Sequence, residues 1–360
     1  MTNSRGTIVV LNDTAAIAHY GCKVVMKRVV ETLVGHGYEV KTVSVYSTWK
    51  IHKRLIERSA GVVVNGEGTI HHSAKRGRTL VEVAPYCRDK GIPVFLINSV
   101  WQDNNVEMAR QAYAFLLNYV RESRSQKQME AQGLKATTVP DLTLGWDYRP
   151  HKPAPLRSGH IYTDAVGMPV TDLLYRLHRE DPGSRYLTMT PPRGHRGDYP
   201  EVDFERLRPP LDDTMGETLR LKLIRAYKLL FLVRGTLKNM VRELRGDLEM
   251  LPLNQFMESL ESSKLVITGR FHGVCLCILT GTPFLAIASN SHKVEGMLED
   301  AGLSHRIVRP VDLRAVMAHP PAWTDEDAKK AKAFVSKARR GQKAMFNKVF
   351  DAIEKAKNGQ

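Results

Sequence analysis

The chain has 360 residues, 42% of them hydrophobic and 25% charged, with 53 Lys plus Arg against 38 Asp plus Glu. This composition excludes a collagen-like, disordered or disulfide-stapled protein, and the length is more than one hydrophobic core usually supports. The net charge of +15 favours anionic partners, whereas the sequence has no zinc-finger or RNP-type pattern that would indicate nucleic-acid binding.

Residues 1–150 alternate short apolar runs with amphipathic stretches, the pattern of βαβ units around a parallel sheet. The apolar run at 8–11 is too short for a signal-peptide core or a membrane span, so we expect a cytoplasmic protein. The four cysteines form no CxxC pair, which fits a reducing compartment. We predict strands at 7–11, 38–45, 61–65, 94–98 and 118–120, and helices at 20–36, 48–58, 80–90, 106–117 and 123–132.

A basic, proline-rich stretch at 149–159 marks the predicted domain boundary, and a second α/β pattern covers 158–320. A basic helical insertion at 211–247 interrupts it, and a Lys- and Ala-rich helix at 324–357 is predicted to pack back on the body. The insertion suits an ordinary amphipathic helix or one lying on anionic lipid, so a peripheral position at the inner face of the cytoplasmic membrane stays open. The second pattern has strands at 160–163, 185–189, 264–268 and 284–287, and helices at 171–180, 273–279 and 294–300.

These elements predict an α/β protein with two facing Rossmann-like domains. Parallel sheets of this kind bind ligands at the carboxyl ends of their strands. We therefore expect a ligand cleft between the two domains.

The most informative segment is the strand at 264–268 and the helix after it. The strand leads into Gly269, and a helix is predicted to open near Gly273, so Arg270 and His272 lie beside free backbone N–H groups. Arginine can clamp a carboxylate or phosphate, and histidine can exchange a proton near neutral pH. In the structural alternative, Arg270 pairs with a carboxylate and His272 caps the helix.

Polar residues also follow a strand of the first half. Glu67 lies between Gly66 and Gly68, with His71 and His72 shortly after it, and these side chains are candidates for acid–base work on an acceptor. Alternatively, Glu67 caps the following helix and the histidines are solvated. Because adjacent residues on a strand point apart, we predict no metal site at the two histidines.

Further candidates follow the next strands of the first half. Trp101 and Asp103 come after the strand that ends at 98 and could line the same cleft. Arg121 begins a predicted helix, where it could bind an anion or form a structural ion pair.

Several of these segments together resemble one family. The run Thr268-Gly269-Arg270-Phe271-His272-Gly273, followed by Gly281-Thr282-Pro283 and Lys293, is similar to the carboxyl-terminal signature of polysaccharide pyruvyltransferases. The resemblance spans roughly residues 5–310, although Glu67 stands where the family has a more glycine-rich loop. Further similar blocks are 62–69, Val120-Arg121-Glu122-Ser123 and Val139-Pro140-Asp141-Leu142.

The resemblance implies a GT-B-like transferase of the cell envelope that forms a pyruvate ketal. The donor would be phosphoenolpyruvate and the acceptor two hydroxyls of a cell-surface polysaccharide or its precursor, with no obligatory metal or other cofactor; whether the acceptor is lipid-linked stays open. We expect His272, Glu67 and Asp103 to be catalytic, Arg270, Phe271, His272, Gly273, Lys293 and Arg121 to bind the donor, and Gly66, Glu67, Gly68, His71, His72 and Trp101 to bind the acceptor.

Two other functions fit the same pattern. One is a GT-B-like glycosyltransferase that uses a nucleotide-activated sugar, acidic or neutral. The other is a non-catalytic polysaccharide- or lipid-binding protein on the same fold, because a fold by itself does not determine function.

Overall fold

The computed structural model describes residues 4–17, 19–149, 156–191 and 248–358. It contains two parallel β-sheets, with strand orders β2-β1-β3-β4-β5-β6 and β10-β9-β7-β8. The predicted α/β class is confirmed. The strands of the first sheet are β1 Thr7–Asp13, β2 Glu39–Ser44, β3 Gly61–Glu67, β4 Val94–Ser99, β5 Leu117–Val120 and β6 Thr137–Thr138, and those of the second are β7 His160–Ala165, β8 Arg185–Leu187, β9 Leu265–Gly269 and β10 Phe284–Ala286.

Helices cover both faces of the first sheet. Ile8 and Val10 of β1 belong to one hydrophobic cluster, whereas Val9 and Leu11 belong to another on the opposite face. A strand buried on both faces needs apolar residues at every position, which explains the uninterrupted apolar run. The helices are α1 Tyr20–Gly35, α2 Lys53–Glu57, α3 Lys75–Val81, α4 Val83–Asp89, α5 Val106–Ala112, α6 Ser123–Ala131, α7 Met168–Glu180, α8 Leu253–Ser262, α9 Phe271–Thr280, α10 Lys293–Asp300, α11 Leu313–Ala318 and α12 Asp325–Asn358.

Several predicted boundaries were wrong. The helix predicted at 106–117 ends at Ala112, because Leu117 already pairs with Phe95 of the neighbouring strand. The helix predicted at 80–90 is two helices, since Pro85 cannot donate to a carbonyl four residues earlier. The predicted helix at 48–58 contains a 3₁₀ turn at Trp49–Ile51 before α2.

Helix α12 contacts both halves of the protein. Phe334 and Ala338 pack in the cluster that surrounds α9, and Phe346 and Val349 pack in the cluster on one face of the first sheet. Between these sections, the side chain of Gln342 donates hydrogen bonds to the backbone carbonyls of residues 140 and 141, at 3.2 and 2.9 Å.

The two sheets use strands at 7–138 and 160–286 respectively, and the exact domain boundaries stay a prediction. The basic insertion predicted at 211–247 lies outside the described residues. No described helix combines the length and the apolar character that a membrane crossing requires. All four cysteines are buried and free.

Candidate active site

The candidate site lies where the carboxyl ends of the two sheets approach each other. Glu67 ends β3 and Arg121 follows β5 in the first half, while Arg270 follows β9 and Lys293 begins α10 in the second half. This is the usual ligand position in open α/β sheets. The structure therefore assembles residues that are far apart in the sequence.

A buried pair of cations forms the centre of the site. The Arg121 side chain is 2% exposed, donates from Nη1 to Asp141 Oδ2 at 3.1 Å, and lies 4.1 Å from the ring centre of Phe271. A Cβ on Gly68 would lie 3.3 Å from Arg121 Nη2 and 3.5 Å from Lys293 Nζ, so both cations lie beside this glycine. Asp141 thus joins the site through Oδ2, while its Oδ1 accepts from the backbone N of Thr143 at 2.9 Å and caps the turn that follows.

The Lys293 amine is buried and forms no salt bridge among the described residues. Its Nζ donates to Asn290 Oδ1 at 2.8 Å, and only 8% of the residue is exposed. Burial, together with the positive charges of Arg121 and Arg270, lowers the pKa of Lys293 to about 7. An anion bound here would relieve this repulsion.

Arg270 is held by a carboxylate. It is the N-cap residue of α9, which begins at Phe271 and so includes His272 and Gly273 in its first turn. Arg270 Nε donates to Asp164 Oδ2 at 2.8 Å, and Nη2 bonds the same oxygen. The ion pair with a carboxylate, which was the structural alternative for Arg270, is thus present, although Nη1 takes no part in it.

Two histidines lie side by side next to the cations. The ring centres of His272 and His19 are 5.4 Å apart, and His272 Nε2 is 3.8 Å from Asp141 Oδ2. Within the described part of the chain, buried His272 Nε2 and buried His19 Nδ1 have no hydrogen-bond partner. Burial lowers the pKa of both rings, and for His19 the charges of His272, Arg270 and Lys293 add to the effect.

Helix α1 approaches His272 through a glycine. A Cβ on Gly21 would lie 2.1 Å from His272 Cγ, far closer than packed side chains allow. Gly21 is therefore required for this contact between the two halves of the protein.

Glu67 has a left-handed backbone conformation, and its carboxylate accepts from three hydrogen-bond donors. Its φ of 41° is in the left-handed region that favours glycine. Its carboxylate accepts from Thr14 Oγ1, from Asn65 Nδ2 at 3.2 Å and from Cys22 Sγ at 3.5 Å. Glu67 does not cap the following helix, whose N-cap residue is Ala74.

The other candidates of the acceptor side are dispersed. His71 forms an isolated β-bridge with Gln102 and His72 lies in the turn after it, outside any strand. Their Nδ1 atoms are 2.8 Å apart, so the argument that they point apart was wrong. Asp103 Oδ2 is 3.3 Å from His72 Nε2, with both side chains at least half exposed. Trp101 is wholly buried and donates from Nε1 to Gln132 Oε1, which does not support direct contact with an acceptor. A Cβ on Gly66 would lie 2.3 Å from Ser99 Oγ, so that glycine has a packing role.

His19 and Cys22 were missed in the sequence. Their ligand atoms and one of His272 lie within 4.8 Å of one another, and ligands of these types suit a transition metal. Arg270 and Lys293 make the electrostatic potential at His19 positive, which favours an anion over a divalent cation. The sequence feature that could have pointed to His19 was its position immediately before an amphipathic helix.

Comparisons with solved structures agree with two facing domains. The glycotransferase of kitacinnamycin is similar with a TM-score of 0.51 and 11% identity, over 98% of this chain and 99% of that chain. A candidate UDP-N-acetylglucosamine 2-epimerase of Listeria monocytogenes is similar with a TM-score of 0.50 and 10% identity, over 97% of each chain. At such identities the likeness shows the fold alone, which is of the GT-B type. No curated protein matched the sequence.

A family model matches residues 19–291 of the chain and defines the protein as a transferase. The chain belongs to the polysaccharide pyruvyl transferase family. The match includes Arg121, Asp141, Arg270 and His272, and it ends two residues before Lys293.

Proposed function

We propose that the protein transfers the pyruvyl group of phosphoenolpyruvate to two hydroxyls of a polysaccharide or its precursor, forming a pyruvate ketal. The observation that carries the proposal is the buried cation pair of Arg121 and Lys293, with Arg270 beside it. Phosphoenolpyruvate has a carboxylate and a phosphate, and such groups bind best to desolvated cations. Family membership supports the pyruvyl transfer.

His272 is the proposed proton donor to the methylene carbon of phosphoenolpyruvate. Its ring is buried, its Nε2 has no hydrogen-bond partner among the described residues, and Asp141 Oδ2 lies 3.8 Å away to stabilise the imidazolium. Burial lowers the pKa of His272, but the negative charge of a bound donor would raise it again. Donor binding thus prepares the acid for the reaction.

Glu67 is the proposed partner of an acceptor hydroxyl. Its carboxylate is held in place by hydrogen bonds, on the same side of the site as Gly68 and the two central cations. Asp103 and His72 form an exposed pair that suits the outer edge of a sugar-binding surface. Trp101 is left out of the proposal because it is wholly buried.

The first experiment is a thermal-shift assay with phosphoenolpyruvate and, in parallel, with UDP and CDP. We expect phosphoenolpyruvate alone to raise the Tm, since a ligand that binds the folded state stabilises it. Lys293→Met should abolish the shift, whereas the matched control Lys264→Met, at an exposed position, should retain it.

A shift with a nucleotide and none with phosphoenolpyruvate would replace the proposal with a glycosyltransferase. Donor binding that survives in Lys293→Met would also contradict it, because the donor would then lie elsewhere. Since the proposed chemistry routes no step through a metal ion, EDTA should leave the transfer rate unchanged.

A further inference from the structure

Ketal formation requires two proton transfers. Two O–H bonds of the acceptor break and two C–O bonds form at C2 of the donor. The C2–C3 π bond breaks and its electron pair forms the new C3–H bond, while the C2–O bond to phosphate breaks with its electron pair leaving on oxygen. One proton ends on C3, which becomes the methyl group, and the other ends on the departing phosphate. The step is redox-neutral and needs no further reactant.

One histidine does not easily deliver protons to both C3 and the departing phosphate. C3 and the phosphate oxygen lie on different sides of C2, and proton transfer requires hydrogen-bond distance. The proposed function assigns C3 to His272 and gives the phosphate no proton donor. The site should therefore contain a second group that can carry a proton.

His19 has the geometry for this second role. Its ring centre is 5.4 Å from that of His272, with the planes tilted by 55°, so the two rings lie side by side. Its Nδ1 is buried and has no hydrogen-bond partner in the described ranges, although His19 is the N-cap residue of α1 and could have capped the helix. A buried nitrogen without a partner is costly unless a ligand satisfies it.

The charges around His19 relate it to the proposed donor site. Arg270 and Lys293 act electrostatically on His19, along with His272, and the Cys22 ligand atom lies within 4.8 Å. Arg270 and Lys293 are the cations proposed to hold the donor anions. His19 therefore lies beside the cations proposed to hold the donor anions, within the same charged environment.

We infer that His19 is a second catalytic residue, which takes a proton from one acceptor hydroxyl and passes it to the departing phosphate, while His272 protonates C3 and regains its proton from the second hydroxyl. This inference rests on the proposed function. Burial and the three neighbouring cationic groups lower the pKa of His19, so the ring starts neutral and is ready to accept a proton.

The test is His19→Asn, because the asparagine amide can occupy the place of Nδ1 but cannot carry a proton. Purified protein is added to permeabilised cells that lack the chromosomal gene, with ¹⁴C-labelled phosphoenolpyruvate. The initial rate of label entering acid-labile pyruvate of the polysaccharide is measured. Donor affinity is measured separately by calorimetry. His36→Asn is the matched control, since His36 lies at the other end of α1 and stacks on Phe350.

For His19→Asn we expect donor affinity within about twofold of wild type and a rate lower by about 10² or more, as for loss of a general acid–base group. A rate equal to that of His36→Asn would overturn the inference. Loss of donor affinity together with the rate would also overturn it, by making His19 a binding residue. If wild type itself incorporates no label, the proposed function fails, and the role of His19 falls with it.

Discussion

Gly21 is the residue whose small size decides the geometry of the site. A methyl group there would overlap His272, so Gly21→Ala should displace the His272 ring and weaken catalysis. Overpacking of this kind costs about 1–3 kcal/mol, against a gain of up to about 1 kcal/mol from the higher helix propensity of alanine. Urea unfolding and the initial transfer rate measure both effects.

Gly35 provides the control for Gly21 in the same helix. A Cβ at Gly35 would have no atom within 4 Å, so Gly35→Ala should be neutral or slightly stabilising and leave the rate unchanged. Equal behaviour of the two variants would show that the approach of α1 to His272 has no functional role.

Lys293 should make donor binding depend on pH. Its pKa is about 7 in the folded protein, below the ordinary value of 10.5, so the free protein loses this charge as the pH rises through 7. Because a bound anion favours the charged amine, donor affinity should be full below pH 7 and fall by up to tenfold per pH unit above it. Calorimetry in two buffers of different ionisation enthalpy should detect proton uptake on binding.

The groups that face Lys293 include Arg121, Arg270, Glu67 and Glu295. Lys293 is the one whose substitution tests this pH dependence directly. Lys293→Met should remove the proton uptake between pH 7 and 9. Proton uptake that persists in this variant would assign the pH dependence of donor binding to the histidines instead of Lys293.

At the scale of elements, α12 supports the backbone at Asp141 and packs against the first sheet. Its Phe346 is 3% exposed and packs against the first sheet, whereas Gln342 supports the backbone of Asp141. Phe346→Ala should destabilise the protein by about 3–5 kcal/mol, because a buried ring leaves a cavity. Equilibrium unfolding in urea measures the loss, and Lys348→Ala, on the exposed side of the helix, should stay within about 0.5 kcal/mol of wild type.

A second element contact joins α6 to α10. Arg124 Nε donates to Glu299 at 2.8 Å, Ser123 N donates to Asp300 at 2.8 Å, and His292 Nε2 lies 3.2 Å from buried Glu122. A Cβ on Gly296 would lie 2.4 Å from Glu122 Oε2, so the helices are in close contact. This contact fixes Lys293, the first residue of α10, relative to Arg121 just before α6.

For the whole molecule, the proposed donor site draws on residues of both halves. Arg121 and Gly68 come from the first half, whereas Lys293, Arg270 and His272 come from the second. Phosphoenolpyruvate should therefore slow amide hydrogen exchange both at the turn after β3 and in the first turns of α9 and α10, because ligand binding suppresses local opening. Mass spectrometry of peptic peptides detects both regions.

Lys293→Met should remove both effects together. Protection confined to one half would place the donor within a single domain and contradict the shared site. Lys264→Met should show the wild-type pattern.

Some features were determined by the sequence alone. Apolar runs and amphipathic periodicity predicted the parallel α/β architecture, because strands buried on both faces and helices buried on one face leave different patterns. The run from Thr268 to Gly273 indicated both the family and a strand–helix junction. Both could be recognised because the whole motif lies in consecutive residues.

Other features were decided only by the tertiary structure. The pairing of Arg270 with Asp164, the approach of His19 to His272 and the burial of Trp101 all depend on contacts between residues far apart in the chain. Local pattern reports which face of an element is buried, but not which side chain of another element it meets there. The unusual acidity of Lys293 arises in the same way, because it depends on burial and on charges that only the folded chain brings to one place.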